Sequence, residues 1–185
     1  MKTITLSLIA LTMTLFVDAQ EFMGISVGGP TQECVNKFLA KGFRKVHVEG
    51  GLKTVVSLVG MVNNQNLEVN VVSTPNSKKV WKISVYFPEK TTWWGIKSEY
   101  NDIRTSLINK YGEPKNDYAF FSSPYYEGDG YEMSAITLEK CTFASFWETM
   151  SIQISRFKQV NVTYENLVNS AINEREVKSL QMNML

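Results

Sequence analysis

Residues 91–114, TTWWGIKSEYNDIRTSLINKYGEP, are the stretch of sequence that decides the fold. Five apolar or aromatic side chains recur in it at helical steps of three or four residues: Ile96, Tyr100, Ile103, Leu107 and Tyr111. This spacing places them on one stripe of an α-helix and predicts a helix over residues 92–111. Gly112 can adopt the left-handed conformation that ends a helix, and Pro114 prevents the helix from resuming.

The apolar stripe needs a surface against which it can be buried, and the residues before it predict a β-sheet. Trp81, Ile83, Val85 and Phe87 alternate with polar residues. Because successive side chains of a strand point to opposite faces, these four residues share one face of a strand. We expect that face to lie beneath the helix.

A shorter helix of the same kind is predicted over residues 30–41. Pro30 suits the first helical position, where its missing N–H would have had no partner. Gly42 follows and can end the helix, which would bring Phe43 back onto Phe38. The chain therefore contains two helices that each end in a glycine.

Segments with strand-like alternation follow each helix and predict two antiparallel meanders, each with one wet face. After the first helix the predicted strands cover residues 44–48, 54–62, 67–71 and 81–87. After the second helix they cover residues 118–121, 131–140, 145–156 and 159–164.

The sequence therefore predicts an α+β fold in which residues 20–164 form a single domain. Residues 30–88 and 92–164 form two helix-then-four-stranded units, which we expect to build one continuous sheet with the helices on one face. The alternative is a single α+β sheet with two helices and no duplication. Residues 165–185 contain good helix formers and predict a helical tail, frayed because chain ends are poorly held.

The first nineteen residues have the pattern of a signal peptide. Lys2 supplies positive charge, residues 4–17 are apolar, and Val17 and Ala19 occupy the positions that a signal peptidase reads. Cleavage after Ala19 would leave an exported protein, periplasmic or extracellular, with no transmembrane segment, since the apolar run is shorter than the ~20 residues of a spanning helix.

Composition argues against several classes of function. Lys plus Arg total 19 and Asp plus Glu total 18, so the net charge of +1 predicts no nucleic-acid partner. The single histidine, His47, and the two cysteines leave few ligands for zinc and few partners for a Cys–His nucleophile pair. We therefore expect no catalytic motif, cofactor or metal site.

Four short motifs carry a resemblance to known proteins: FMGI at 22–25, KGF at 41–43, KYGEP at 110–114 and VNVTYEN at 160–166. With them the chain resembles uncharacterised small exported proteins of the Bacteroidetes. The duplicated helix-plus-meander layout also resembles that of β-lactamase inhibitor proteins, a family whose concave sheet holds a partner protein. This second resemblance implies a protein partner bound to the sheet.

The loop PYYEGDGY, residues 124–131, is a candidate binding site. Tyr125, Tyr126 and Tyr131 offer rigid faces with polar tips, which suit recognition, and Asp129 lies between them. The alternative is that the tyrosines pack on the loop's own strands. Glu127 and Asp129 could hold calcium, but the spacing lacks the third acidic ligand and the distal glutamate of a calcium loop.

Two adjacent tryptophans, Trp93 and Trp94, begin the central helix. Only one of two neighbouring side chains can comfortably face the core there. The other is a candidate surface aromatic of the kind enriched at binding sites, although both could instead pack in the core.

The two cysteines, Cys34 and Cys141, could form a disulfide in an oxidising compartment. Such a bond would tie the first helix to the second meander. The alternative is two separate buried thiols, because free cysteine is a common small core residue.

These features favour an exported, non-enzymatic binding or protein-interaction module that works through an exposed sheet face and the tyrosine-rich loop. One alternative is a hydrolase that uses carboxylates such as Glu127, Asp129 or Glu148. The sequence lacks the paired, buried carboxylates that this chemistry needs. The other alternative is a structural accessory of the cell envelope.

Overall fold

The computed structural model describes residues 21–47 and 49–183, so the predicted signal peptide lies outside the described residues. Within them the chain is an α+β protein with an antiparallel sheet, which confirms the predicted class. The helices of this part of the chain are α1 Thr31–Ala40, α2 Trp93–Tyr111, α3 Glu132–Thr137 and α4 Leu167–Met182. The strands are β1 Glu21–Phe22, β2 Ile25–Ser26, β3 Arg44–Val46, β4 Val55–Val62, β5 Gln65–Ser73, β6 Val80–Tyr86, β7 Asn116–Phe121, β8 Cys141–Phe146, β9 Met150–Ile154 and β10 Val160–Glu165.

Eight of the strands form an antiparallel sheet in the order β3-β4-β5-β6-β10-β9-β8-β7, and β1 pairs with β2 separately. Consecutive strands are neighbours from β3 to β6 and again from β7 to β10. The two runs meet where β6 pairs with β10. The edges of the sheet are therefore β3 and β7, one from each run.

Helix α2 has the predicted bounds because its ends are capped. The Gly95 N–H donates to the Thr92 side chain at 3.2 Å, and Gly112 follows the last turn with a φ of 81°. The helix packs over β9 and β10, whereas the sequence predicts that it lies on β6. The chain after Gly112 leads directly into the second run of strands, and this short connection keeps α2 above that half of the sheet.

Helix α1 lies over the other half of the sheet, where it packs against β5. Phe38 is fully buried, and the ring of Phe43 meets it edge-on at 5.3 Å between centroids. The Phe43 N–H donates to the Phe38 carbonyl at 3.2 Å, while Gly42 takes a φ of 88°. The predicted helix ending, with its accompanying aromatic contact, is present in the structure.

The predicted strand over residues 131–140 is wrong, because α3 occupies this segment. Adjacent residues Ala135 and Ile136 are both buried, whereas Leu138 is exposed. A strand would turn two neighbouring side chains to opposite faces, so this pattern belongs to a helix packed on β8. Six helical residues are too few for their period to be read from the sequence.

The predicted long strand over residues 145–156 is also wrong. It consists of the end of β8 and the whole of β9, joined by a tight turn in which the Trp147 N–H donates to the Met150 carbonyl at 2.8 Å. The indole of Trp147 donates to the Gly112 carbonyl at 2.8 Å. This turn is held partly by a contact with the end of α2, and its sequence lacks the Gly, Pro or Asn that would have marked it.

The C-terminal helix α4 is anchored, in contrast to the frayed tail that the sequence predicts. The Asn166 side chain accepts the Asn169 N–H at 3.0 Å, which caps the helix. The buried Asn169 amide donates to the Val80 carbonyl at 2.7 Å, and Glu176 accepts the Asn76 N–H at 2.7 Å. These contacts attach α4 to β6 and to the loop that precedes it.

Cys34 and Cys141 are both free and buried in the structure, so the disulfide that the sequence allows is absent. Cys34 lies on α1 over β5, and Cys141 begins β8, four strands along the sheet. Four strand spacings are about 19 Å, whereas disulfide Cα atoms lie within about 7 Å. Burial raises the pKa of the Cys34 thiol to about 11 and that of Cys141 to about 12.

A polar cluster fastens α2 to strands β7 and β8 around the fully buried Ser145. The Ser145 hydroxyl donates to Asp117 Oδ1 at 2.7 Å and accepts from Arg104 Nε at 3.1 Å. The Tyr100 hydroxyl lies 2.7 Å from the hydroxyl oxygen of Ser145, and Arg104 also forms an ion pair with Asp117. The Ser145 hydroxyl, which is buried in this cluster, is thereby fully partnered.

Asp117 should make the stability of the protein fall in acid. Desolvation raises its pKa, but the hydrogen bonds from Ser145 and Arg104 and the Arg104 charge outweigh it, so the net pKa lies below the usual value. A lowered folded-state pKa stabilises the protein above the unfolded-state pKa, about 3.9. That stability is lost as the pH falls through the folded-state pKa. Urea unfolding of the wild type between about pH 3 and pH 7 should therefore show a steeper loss than Asp117→Asn.

The exposed Glu148 provides the matched control for this experiment. Glu148→Gln removes one carboxylate from a surface ion pair and should retain the wild-type slope of stability against pH. An unchanged slope in Asp117→Asn would contradict the assigned role of Asp117.

Candidate functional site

The two tryptophans at the start of α2 take different roles. Neighbouring helical residues point about 100° apart, so one faces the core and the other faces solvent. Trp93 packs edge-on against Phe121 at 5.3 Å and Phe143 at 5.1 Å between ring centroids. Trp94 is 79% exposed. The core position therefore belongs to Trp93, and Trp94 is a surface aromatic.

The tyrosine-rich loop is shaped by Asp129. Its carboxylate accepts the Tyr126 N–H at 3.1 Å and the Tyr131 N–H at 2.7 Å. Tyr126 and Tyr131 are exposed, and Tyr125 packs partly against the core. One of the three tyrosines therefore follows the packing alternative, and the other two present their rings to solvent.

Glu127 joins this loop to α2. The Trp93 indole donates to Glu127 Oε1 at 3.2 Å, and Lys97 forms an ion pair with the same carboxylate. A depression of about 380 Å³ lies at this junction and is lined by both tryptophans, Glu127 and Glu132. The structure thus brings Trp93, Trp94 and the middle of the loop together, whereas Tyr126, Asp129 and Tyr131 lie outside the lining.

The carboxylates considered for hydrolysis are otherwise engaged. The hydrogen bond from Lys97 is the main cause that lowers the pKa of Glu127, whereas a general acid needs a raised pKa. Asp129 accepts two backbone N–H groups, and Glu148 pairs with Lys115 at 3.1 Å on the surface. These contacts give the hydrolase alternative no support.

A second candidate surface lies on the side of the sheet that faces away from α1 and α2, and we call it the open face. Directly opposed residues of paired strands point to the same side, so the strand register connects one residue of each strand into a row. Pairings from β3 to β7 connect Arg44, Val59, Glu68, Tyr86, Asn161, Gln153, Ala144 and Tyr118. This transverse row crosses all eight strands of the sheet.

Three adjoining depressions lie along the open face. Those of about 430 and 540 Å³ share Tyr86, and the second shares Glu68 with a third of about 490 Å³. Asn161 and Gln153 line the first, whereas Arg44 and Val59 line the second. The transverse row therefore runs through a nearly continuous trough.

The chemistry of the open face is mixed. Its middle carries the neutral groups Tyr86, Asn161 and Gln153, and exposed rings such as Tyr118 lie toward the β7 edge. Arg44 and Glu68 provide one charge of each sign. Neutral hydrogen-bonding groups with aromatic neighbours and few charges are typical of protein interfaces.

The sequence predicts that each meander has one solvent-facing side, but it does not predict the transverse row. Alternation indicates which residues of one strand share a side, but it does not indicate which residue of the next strand lies opposite. Tyr86, Gln153 and Tyr118 are far apart along the chain and become neighbours only through the register.

Comparison with protein-family models, curated proteins and solved structures finds no match to this chain. Among the described residues, no helix has both the length and the apolar character needed to cross a membrane. Nor do any three His, Cys, Asp or Glu side chains of this part of the chain group as metal ligands.

Proposed function

We propose that the protein is an exported, non-enzymatic binding module that holds a partner protein against the open face. The observation that carries the proposal is the transverse row, which crosses eight strands and has seven of its eight residues in the lining of three adjoining depressions. Eight strands span roughly 34 Å, and six residues of strand span about 20 Å, so the face measures roughly 700 Å². Standard protein interfaces bury about 600–1,000 Å² per partner, and the area of the face lies within that range.

The proposal includes a duplicated architecture. In it, the two runs of four strands are copies of one helix-plus-meander unit, and they join into one continuous sheet. The strand order supports it, since each run is consecutive and the two meet at β6 and β10. The resemblance to the layout of β-lactamase inhibitor proteins, which bind a partner on their sheet, points the same way.

Export is the other part of the proposal, together with kinship to the small exported proteins of the Bacteroidetes. It is supported by the signal-peptide pattern of residues 1–19 and by the four motifs of the mature chain. An export route would place the open face in the periplasm or outside the cell, where the partner protein would be found. Fractionation of the producing cells should recover the chain without its first nineteen residues.

Site-specific photo-cross-linking tests the open face. A benzophenone side chain replaces Tyr86 or Gln153 on the open face, and replaces the exposed Glu174 of α4 as the control. In the producing cells, both open-face positions should give one discrete adduct with the same protein, and the Glu174 position should give none. Several unrelated adducts would favour a structural accessory of the envelope.

The purified partner then provides the decisive measurement. Gln153→Arg places a large charged side chain in the middle of the transverse row at a partly exposed position, and it should weaken one-to-one binding at least about tenfold, a loss of about 1.4 kcal/mol. Glu174→Arg should bind as the wild type does. Equal binding by both variants, or an adduct of the chain only with itself, would overturn the proposal.

A further inference from the structure

A separate groove lies on the helix side of the protein, next to the exposed indole of Trp94. Trp94, Ser98 and Asp102 follow one another at four-residue steps and so form a row along α2. All three line a depression of about 370 Å³, whose other side is formed by Gln65 and Lys90. The groove therefore combines an aromatic face with polar walls.

Glu99 also lines this groove and has an unusual hydrogen-bond state. It is only 9% exposed, and its Oε1 atom receives both protein donors, Lys90 Nζ at 2.9 Å and Gln65 Nε2 at 3.1 Å. Its Oε2 atom is buried and has no hydrogen-bond partner among the described residues. Buried carboxylate oxygens are normally paired, so this atom points to a donor that the chain itself does not supply.

The charge around Trp94 has the sign that favours a cation. The depressions on its two sides are lined by four carboxylates and two lysines, a net charge of −2. Both lysines are already paired, Lys90 with Glu99 and Lys97 with Glu127. Asp102 is exposed and forms no ion pair within residues 21–47 and 49–183. It lines the same depression as Glu99.

We propose that this groove binds a guanidinium group, the side chain of an arginine carried by a partner protein or peptide. A guanidinium is planar and stacks on an indole face, and its several N–H donors can reach two carboxylates at once. It would stack on Trp94 and donate to Glu99 Oε2 and Asp102. Trp94 is 79% exposed, so its ring face is accessible to the guanidinium.

The test uses Nα-acetyl-arginine N-methylamide as the probe and its citrulline counterpart as the neutral control. The probe is titrated into ¹⁵N-labelled protein, and the indole N–H signals are followed by NMR. Trp94→Phe identifies the Trp94 signal. We expect a saturable shift of this signal with the arginine probe, and a response at least about tenfold weaker with citrulline.

Three variants make the assignment specific. Asp102→Asn, at an exposed position, and Glu99→Gln should each weaken binding of the arginine probe about tenfold. Glu148→Gln removes the same charge elsewhere and should leave binding unchanged. An equal response to citrulline, wild-type binding by Asp102→Asn and Glu99→Gln, or an unshifted Trp94 signal would overturn the proposal.

The groove and the open face lie on opposite sides of the sheet, so the two proposals can fail separately. Gln153→Arg, which alters the transverse row at a partly exposed position, should leave binding of the arginine probe unchanged. Loss of probe binding in this variant would contradict a separate groove. If the partner binds at the open face but the arginine probe does not bind, only the proposal for the groove is overturned.

Discussion

Replacement of Leu107 with alanine is expected to lower the free energy of unfolding by about 2–5 kcal/mol. Leu107 is 7% exposed and lies on the apolar stripe of α2, which packs over β9 and β10. Its truncation removes buried methyl groups and leaves a cavity beneath a helix that its connections hold in place. Urea denaturation followed by circular dichroism measures the loss directly.

Leu180 provides the control for this prediction, since it also lies in a helix but is 41% exposed. Leu180→Ala should cost less than about 1 kcal/mol. Partner binding by Leu107→Ala should match that of the wild type when compared at equal folded fraction, because Leu107 faces away from the open face. A similar loss in both variants would contradict the assigned packing of α2.

Replacement of Gly60 with alanine is expected to cost about 1–3 kcal/mol through overpacking. A Cβ at this position of β4 would lie 2.6 Å from ring atoms of Phe43. Phe43 is 4% exposed and is held edge-on against Phe38, so its ring cannot swing out without losing that contact. The glycine is required because an aromatic ring lies directly over its backbone.

A double-mutant cycle separates this steric clash from a general loss of strand structure. In a Phe43→Leu background, Gly60→Ala should cost clearly less than in the wild type, because the smaller side chain leaves room for the new methyl group. The adjacent Met61 is 65% exposed, and Met61→Ala should change stability by no more than about 0.5 kcal/mol. An equal cost of Gly60→Ala in both backgrounds would refute the ring contact.

Secondary structure could be predicted where its period was long and its ends were marked. Helix α2 has five stripe residues, a capping threonine and a terminal glycine, and its predicted and observed bounds agree within one residue. Helix α3 has only six residues, and the turn after β8 contains a tryptophan in place of a turn former. Both were missed, because local sequence carries little information when tertiary contacts determine the conformation.

The candidate surfaces, like the secondary structure, could be predicted from the sequence only in part. The sequence singled out the Trp93–Trp94 pair and the tyrosine-rich loop as candidate surface aromatics, and it left open which of these rings face solvent. It did not indicate that Glu127 joins the loop to α2, or that Glu99, which has an unpartnered oxygen, lines the same depression as Trp94. These features depend on distances between residues that are separated by helices and strands, and a periodic pattern does not contain them.

By itself, the sequence determined the α+β class, the stripe of α2, the glycine-terminated helices and the alternation of most strands. These are local properties, since side-chain spacing along one element is set by the geometry of that element. Only the tertiary structure decided that α2 lies over β9 and β10, that the transverse row runs from Arg44 to Tyr118, and that the two thiols are separate. Strand register and helix placement depend on which distant surfaces bury the most apolar area together, and that choice is made by the whole chain.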